Sequence, residues 1–146
     1  MVTYPSGSGV MVRLEIREWL REAEADLKHA KDCLRLESYN WACFVAQQSA
    51  EKSFKALIMA FSRKRPLHTH DLTKLYSEIR GKLKLSYEVT EYLGELSSYY
   101  TLARYPNAGL TSPSVGISKT QTERAIAVAE KLLRAVKHAF KSLEQG

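Results

Sequence analysis

Helix breakers are scarce in this chain. Glycine and proline number 7 and 4 among 146 residues, and nearly all fall in the first nine residues or near 66, 81 and 106–116. No glycine-rich turn follows an alternating apolar segment, which excludes a parallel sheet with a phosphate loop. The two cysteines, Cys33 and Cys43, form neither a zinc pattern nor a disulfide framework. They read as small buried hydrophobes, with a link across the turn near 37–40 as the alternative. No apolar run approaches the roughly 18 residues needed to cross a bilayer. The start, MVTYPSGSGV, lacks a basic segment followed by an apolar one, so no secretory signal is expected. A cytoplasmic protein with no membrane contact is the expectation.

Long stretches of helical periodicity are present instead. Residues 1–10 read as a flexible tail and 11–146 as a single helical domain. Leu20, Ala23, Leu27, Ala30 and Leu34 follow the 3-4 spacing of one helical face, which predicts a helix over 11–36. A second helix carries Trp41, Phe44, Val45, Gln48, Phe54, Leu57, Ile58 and Phe61 on one broad face and stops before Pro66. Thr69 is expected to cap a short third helix reaching Arg80, with Asp71 in its first turn. Ser86 is expected to cap a fourth carrying Tyr92, Leu93, Leu96, Tyr99, Tyr100 and Ala103. The stretch 104–118 should be irregular. Ser118 and Gln121 have capping-box spacing and open a last helix with Ile126, Ala129, Leu132, Leu133, Val136, Phe140 and Leu143 on its core side. Short connections between long helices imply an all-α, up-and-down four-to-five-helix bundle.

A net charge of +6 and a pI near 9.3 favour anionic partners. Arg63, Lys64 and Arg65 lie together at a helix end, with His68 and His70 behind them. This reads first as cations satisfying a helix C-terminus, with phosphate binding and histidine as proton carrier as the alternative. His68 and His70 have no partner ligand beyond Asp71, so no metal and no cofactor are expected. Glu22, Glu24 and Asp26 look like a solvent face, and Gln47, Gln48 and Glu51 like hydrogen-bonding groups across the bundle, with the lining of a pocket as the alternative. Ser97 and Ser98 lack a matching His/Asp arrangement. Tyr99, Tyr100 and Tyr105 suit either base stacking or a half-buried interface. Arg104 sits where a helix should break before Pro106. Its fork of donors either caps that helix or faces a phosphate.

The segments YNWACFVAQQSAEKSFKALI, THDLTKL and YYTLARYPNAG, followed by a long terminal helix, together resemble the HEPN domains of prokaryotes over about residues 15 to 143. The resemblance implies a helical bundle that pairs into a homodimer. It also implies a small nucleotidyltransferase partner in a toxin–antitoxin-like pair. Several such domains are metal-independent endoribonucleases. In these an Arg holds the scissile phosphate and a His four to six residues later activates the RNA 2′-hydroxyl across the dimer. Others look like non-catalytic nucleotide binders. Arg104 falls at the family's arginine and Asn107 at the polar residue that often follows it. The histidine would stand at Gly109, Leu110 or Thr111, and none is histidine. Without a base, a proton-transfer contribution of about 10²–10⁴-fold is missing. His70 is the best substitute. The expected catalytic residues are therefore Arg104 and His70. Expected to bind nucleotide or RNA are Arg104, Tyr100, Tyr105, Asn107, Arg63, Lys64 and Arg65. Binding of nucleotide or RNA phosphate is the first expectation. An endoribonuclease with an atypical site and a purely structural dimeric interaction domain are the alternatives.

Overall fold

Apolar side chains recurring every three or four residues can be hidden only by packing helix against helix, and the computed structural model does this with six of them. It describes residues 9–109 and 112–145. The helices are α1 (Gly9–Arg35), α2 (Tyr39–Ser62), α3 (Leu72–Ile79), α4 (Tyr87–Leu102), α5 (Pro113–Gly116) and α6 (Lys119–Gln145). No strand occurs among the described residues, and no helix there is long and apolar enough to cross a membrane.

Helix α2 is the axis of the bundle. Small residues along it, including Ala42, Ala46, Ser49, Ala50 and Ser53, are fully buried. They let neighbouring backbones come close enough for the Ser49 hydroxyl to donate to the Ala23 carbonyl of α1 at 2.7 Å. Phe54, Leu57 and Ile58 join Leu72 and Leu75 of α3, Leu93 and Leu96 of α4, and Leu132 of α6 in one apolar cluster. α4 runs against α2, so the Asn40 side chain reaches the Ala103 carbonyl at 3.2 Å. α6 runs alongside α2, with the Thr122 hydroxyl near both the Tyr39 carbonyl and the Cys43 thiol. α1 runs opposite to α6. Along that seam Arg17 pairs with Glu144, Glu24 with Lys137 at 3.0 Å and Lys31 with Glu130 at 2.6 Å.

Several boundaries differ from the sequence reading. α1 already begins at Gly9, so the last two residues of the expected tail are helical; residues 1–8 of that tail lie outside the described residues. The cap of α3 is Asp71, not Thr69. Its carboxylate accepts from the Thr73 N–H at 2.9 Å, while Thr69 Oγ1 accepts from the Asp71 N–H at 3.1 Å. An aspartate two residues later is the stronger cap because its charge also meets the helix dipole. α4 stops at Leu102, ahead of Tyr105. The stretch expected to be irregular contains the one-turn α5, opened by Pro113 at its first position. Ser86 and the Ser118–Gln121 box cap α4 and α6 as expected.

Candidate functional site

The end of α4 is held before any functional group is placed. Ala103 caps it, and the N–H groups of Arg104 and Tyr105 both return to the Thr101 carbonyl at 3.1 Å. Pro106 then prevents another turn. Asn107 takes a left-handed conformation, φ 63°, which asparagine tolerates better than most residues. At Gly109 a Cβ would run into the Leu102 side chain. The atom it meets is the Cδ1 tip of Leu102, so a larger residue here must turn that tip aside.

Arg104 projects from this folded-back end into a cage of rings. Its guanidinium carbon lies 4.4 Å from the centre of Phe44, 4.5 Å from Tyr100 and 4.9 Å from Tyr105, a geometry favoured by the ring quadrupole. Nε donates to the Tyr100 carbonyl at 2.7 Å. The capping role and the outward-facing role thus fall on different nitrogens. Nε completes the helix end, while Nη1 and Nη2 have no acceptor among the described residues. Phe44 comes from α2 and meets Trp41 edge-on at 5.8 Å. Trp41 and Tyr105 are about half exposed, at 48% and 52%.

His70 joins the same cluster from the loop before α3. Its ring stacks on Tyr100 with centres 3.5 Å apart and planes 13° from parallel. Nδ1 lies 2.9 Å from Glu51 Oε1. A carboxylate only accepts, so Nδ1 carries the proton and Nε2 is the outward nitrogen. Gln47 donates to both the His70 carbonyl and Glu51 Oε1, at 3.0 and 3.2 Å. Lys55 occupies the other carboxylate oxygen at 2.8 Å. Burial by itself would raise the Glu51 carboxyl. The hydrogen bonds from Lys55 and His70, the Lys55 charge and the Gln47 amide outweigh it and hold the group below the usual carboxylate range. The Thr-His-Asp-Leu run has a local logic. Thr69 and Asp71 make the turn and cap, and the Leu72 N–H donates to Ser97 Oγ at 2.8 Å. The histidine between them is thereby aimed at Tyr100.

The expected residues therefore divide. Arg104, Tyr100, Tyr105 and His70 form one cluster, and Asn107 lies in the adjoining turn, where its backbone conformation is itself a reason for asparagine. Arg63, Lys64 and Arg65 are elsewhere. Arg63 caps the far end of α2 in a left-handed conformation, its N–H on the Met59 carbonyl. Arg65 pairs with Glu15 of α1. At ~1.5 Å per residue this end lies about 17 Å along α2 from Glu51. Tyr99 points into the core and donates to Glu95 at 3.1 Å. Cys33 and Cys43 are both free and buried; burial pushes the Cys43 thiol up to about 11, the Thr122 hydrogen bond opposing and the Glu95 carboxylate adding to it. Among the described residues no group of three His, Cys, Asp or Glu is arranged to hold a metal ion.

Phe44 escaped the sequence reading as a site residue, and Gln47 and Glu51 were left between bundle hydrogen bonding and pocket lining. The available signal was a glutamine and a glutamate interrupting an apolar helix at positions that share one face with Phe44; the structure buries both, leaving Glu51 6% exposed.

The family model for the HEPN domain matches residues 16–139. The crystal structure of TT1696 from Thermus thermophilus is similar at 31% identity and a TM-score of 0.77, over 85% of this chain and 97% of that one. ST0689, an archaeal HEPN homologue, aligns at 25% identity and TM-score 0.69, over 84% and 95% of the two chains. A HEPN domain protein from Thermotoga maritima aligns at 27% identity and TM-score 0.67, over 85% and 98%. No curated protein matches the sequence.

Proposed function

The chain belongs to the HEPN domain family, and from that premise we propose that the Arg104 cage binds the phosphate of a nucleotide or RNA. The binding unit is a homodimer acting in the cytoplasm as partner of a small nucleotidyltransferase in a toxin–antitoxin-like pair. The observation that carries the reading is the division of labour on Arg104. Nε and the three rings fix the guanidinium, and its two terminal nitrogens present a planar pair of donors suited to a phosphate. Tyr105, about half exposed, adds stacking surface for a base, worth about 1–3 kcal/mol per base where such stacking has been probed by substitution, while Tyr100, between His70 and the guanidinium, holds Arg104 in place. The Asn107 amide stands within the same turn. The exposed rings of Trp41 and Tyr105 beside the cage favour a second copy of the chain as the group that covers its rim. The test is titration of labelled RNA and of ATP into the wild type, Arg104→Lys and Arg104→Ala. Arg104→Ala, with its helical content intact, should lose tenfold or more in affinity, and Arg104→Lys should recover only part of it. Unchanged affinity in a folded Arg104→Ala protein sinks the proposal.

The Glu51–His70 pair favours a second reading, a metal-independent endoribonuclease. Glu51 holds Nδ1–H, so Nε2 is free to take the proton of an RNA 2′-hydroxyl. The 2′-oxygen then attacks phosphorus, a 2′,3′-cyclic phosphate forms and the 5′-oxygen departs, taking a proton from water. Arg104 would neutralise the phosphate. Cleavage in EDTA that falls by about 10²–10⁴-fold in His70→Ala supports this; no cleavage by the wild type removes it and leaves the binding reading.

A further inference from the structure

The positive charge of this chain is gathered on one side. On α6, Lys131, Arg134, Lys137 and Lys141 form a ridge with clefts on both flanks. On the α1 flank, clefts of about 390 and 510 Å³ are edged by Arg17, Arg21, Lys28 and Lys31. On the opposite flank, clefts of about 440 and 510 Å³ are edged by Lys82 and Lys84 from the α3–α4 connection. The four clefts have ten Lys and Arg against three Glu in their walls, and Glu88 and Glu18 at their edges pair with Lys131 and Arg21, leaving a surplus of five positive charges. The whole chain carries +6. The remainder of the molecule is thus close to neutral, and the anions on this side are already engaged. Glu144, Glu24 and Glu130 each belong to one of the α1–α6 ion pairs. Lys28, Lys84, Arg134 and Lys141 have no ion pair among the described residues.

We propose that the α6 ridge and its flanking clefts are a docking track for the phosphodiester backbone of single-stranded nucleic acid. Two features select this occupant. First, the cations recur along the helix, over about 15 Å from Lys131 to Lys141 and about 21 Å from Arg17 to Lys31 at ~1.5 Å per residue. That is the extended, one-signed field a polyphosphate chain matches. Second, protein interfaces deplete charge at their centre and bury aromatic or aliphatic anchors, whereas nucleic-acid interfaces are far more positive. Of the large exposed apolar side chains among the described residues, only Leu143 lies in a cleft wall here.

The track is separate from the Arg104 cage. The N-terminal turn of α6 lies at the cage end of α2, since Thr122 meets Tyr39. Lys131 comes about 14 Å further along the helix. A mononucleotide fills one place or the other, and only a polymer reaches both. On the reading that Arg104 binds phosphate, this makes an RNA strand rather than a free nucleotide the natural ligand of the cage.

The test titrates fluorescein-labelled U20 RNA and T20 DNA into the full chain across a KCl series, with ATP in parallel. The variants are Arg104→Ala and the triple Lys28→Gln, Arg134→Gln, Lys141→Gln, none of which breaks an ion pair. The triple variant should bind both oligonucleotides at least tenfold more weakly at low salt. Its slope of log affinity against log salt should flatten by about 2, as expected for three lost phosphate contacts on a single strand at ~0.7 each. Its ATP affinity should be that of the wild type. An unchanged slope and affinity overturn the track, whatever Arg104→Ala does. If Arg104→Ala alone is silent, the cage reading fails and the track stands. Salt-dependent binding of phosphatidylserine vesicles or polyglutamate that U20 does not displace also overturns it, because the ridge then serves a membrane or an acidic protein.

Discussion

Tyr92 buries its hydroxyl in the core beside that of Tyr99, without a well-formed hydrogen bond among the described residues, a placement that forfeits solvation with little to replace it. Tyr92→Phe keeps the ring and removes the orphaned oxygen. Urea denaturation should find the variant as stable as the wild type or up to about 1 kcal/mol more so; a loss above about 1 kcal/mol would mean that the hydroxyl has a partner. Glu51 is the opposite case, a buried carboxylate fully engaged. Its native pKa lies below its unfolded value of about 4.3, so its contribution to stability is complete above that pH and disappears as pH falls through the native value. Glu51→Gln leaves Lys55 buried without its counter-charge, which costs about 3–5 kcal/mol in comparable pairs. The stability gap between wild type and variant, followed by denaturation from pH 7 to pH 3, should narrow toward the acid end. A constant gap would refute the assignment. Arg104 was legible in the sequence because a proline and an aromatic run mark its place. Glu51 was not, because the partner that gives it meaning, His70, comes from a separate loop.

At the scale of elements, caps and periodicity carried most of the information. Ser86, Ser118 and Gln121 announce their helices because each bond involves groups only three residues apart. The failures were of competition and of distance. Thr69 and Asp71 are both good caps two residues apart, and Asp71 takes the helix while Thr69 holds the turn before it; the Leu72 N–H bond to Ser97, across 25 residues, is the part no local pattern announces. The single turn of α5 is too short for periodicity to register. The loop after α4 makes a sharper prediction. Gly109→Ala must turn the tip of the Leu102 side chain aside, and an off-rotamer side chain of this kind costs about 0.5–1.5 kcal/mol. Thermal unfolding should show the loss, and Leu102→Ala in the same chain should recover part of it. If Gly109→Ala is neutral, the loop does not lie against α4.

At the scale of the whole molecule, the all-α bundle followed from the absence of alternation and the length of the amphipathic segments. What no local pattern supplied was the side-by-side order of helices, and with it the meeting of residues 44, 51, 70, 100 and 104. The same holds for the charge on α6, whose Lys and Arg read singly as an ordinary solvated face. Assembly has its own consequence at this scale. If a second copy covers the rim of the cage, Trp41→Ser should lower the apparent mass in sedimentation from dimer to monomer while leaving helical content unchanged. A dimer that survives the change places the contact elsewhere.

The three ion pairs between α1 and α6 fall seven residues apart on each helix, and their polarity reverses at every step. Arg17 faces Glu144, Glu24 faces Lys137 and Lys31 faces Glu130. Individually such exposed pairs contribute about 0.2–1 kcal/mol. Their order works like the teeth of a key. A slide of one heptad keeps the apolar seam aligned, yet in one direction it sets Arg17 against Lys137 and Glu24 against Glu130. In the other it sets Glu24 against Glu144 and Lys31 against Lys137. Glu24→Lys should cost up to about 1 kcal/mol in chemical denaturation, and adding Lys137→Glu should return most of it. The alternating charges thus penalise a heptad slide of α6 along α1 twice, by the pairs it breaks and by the like charges it opposes, and so help to keep the cationic ridge in register with its α1 flank.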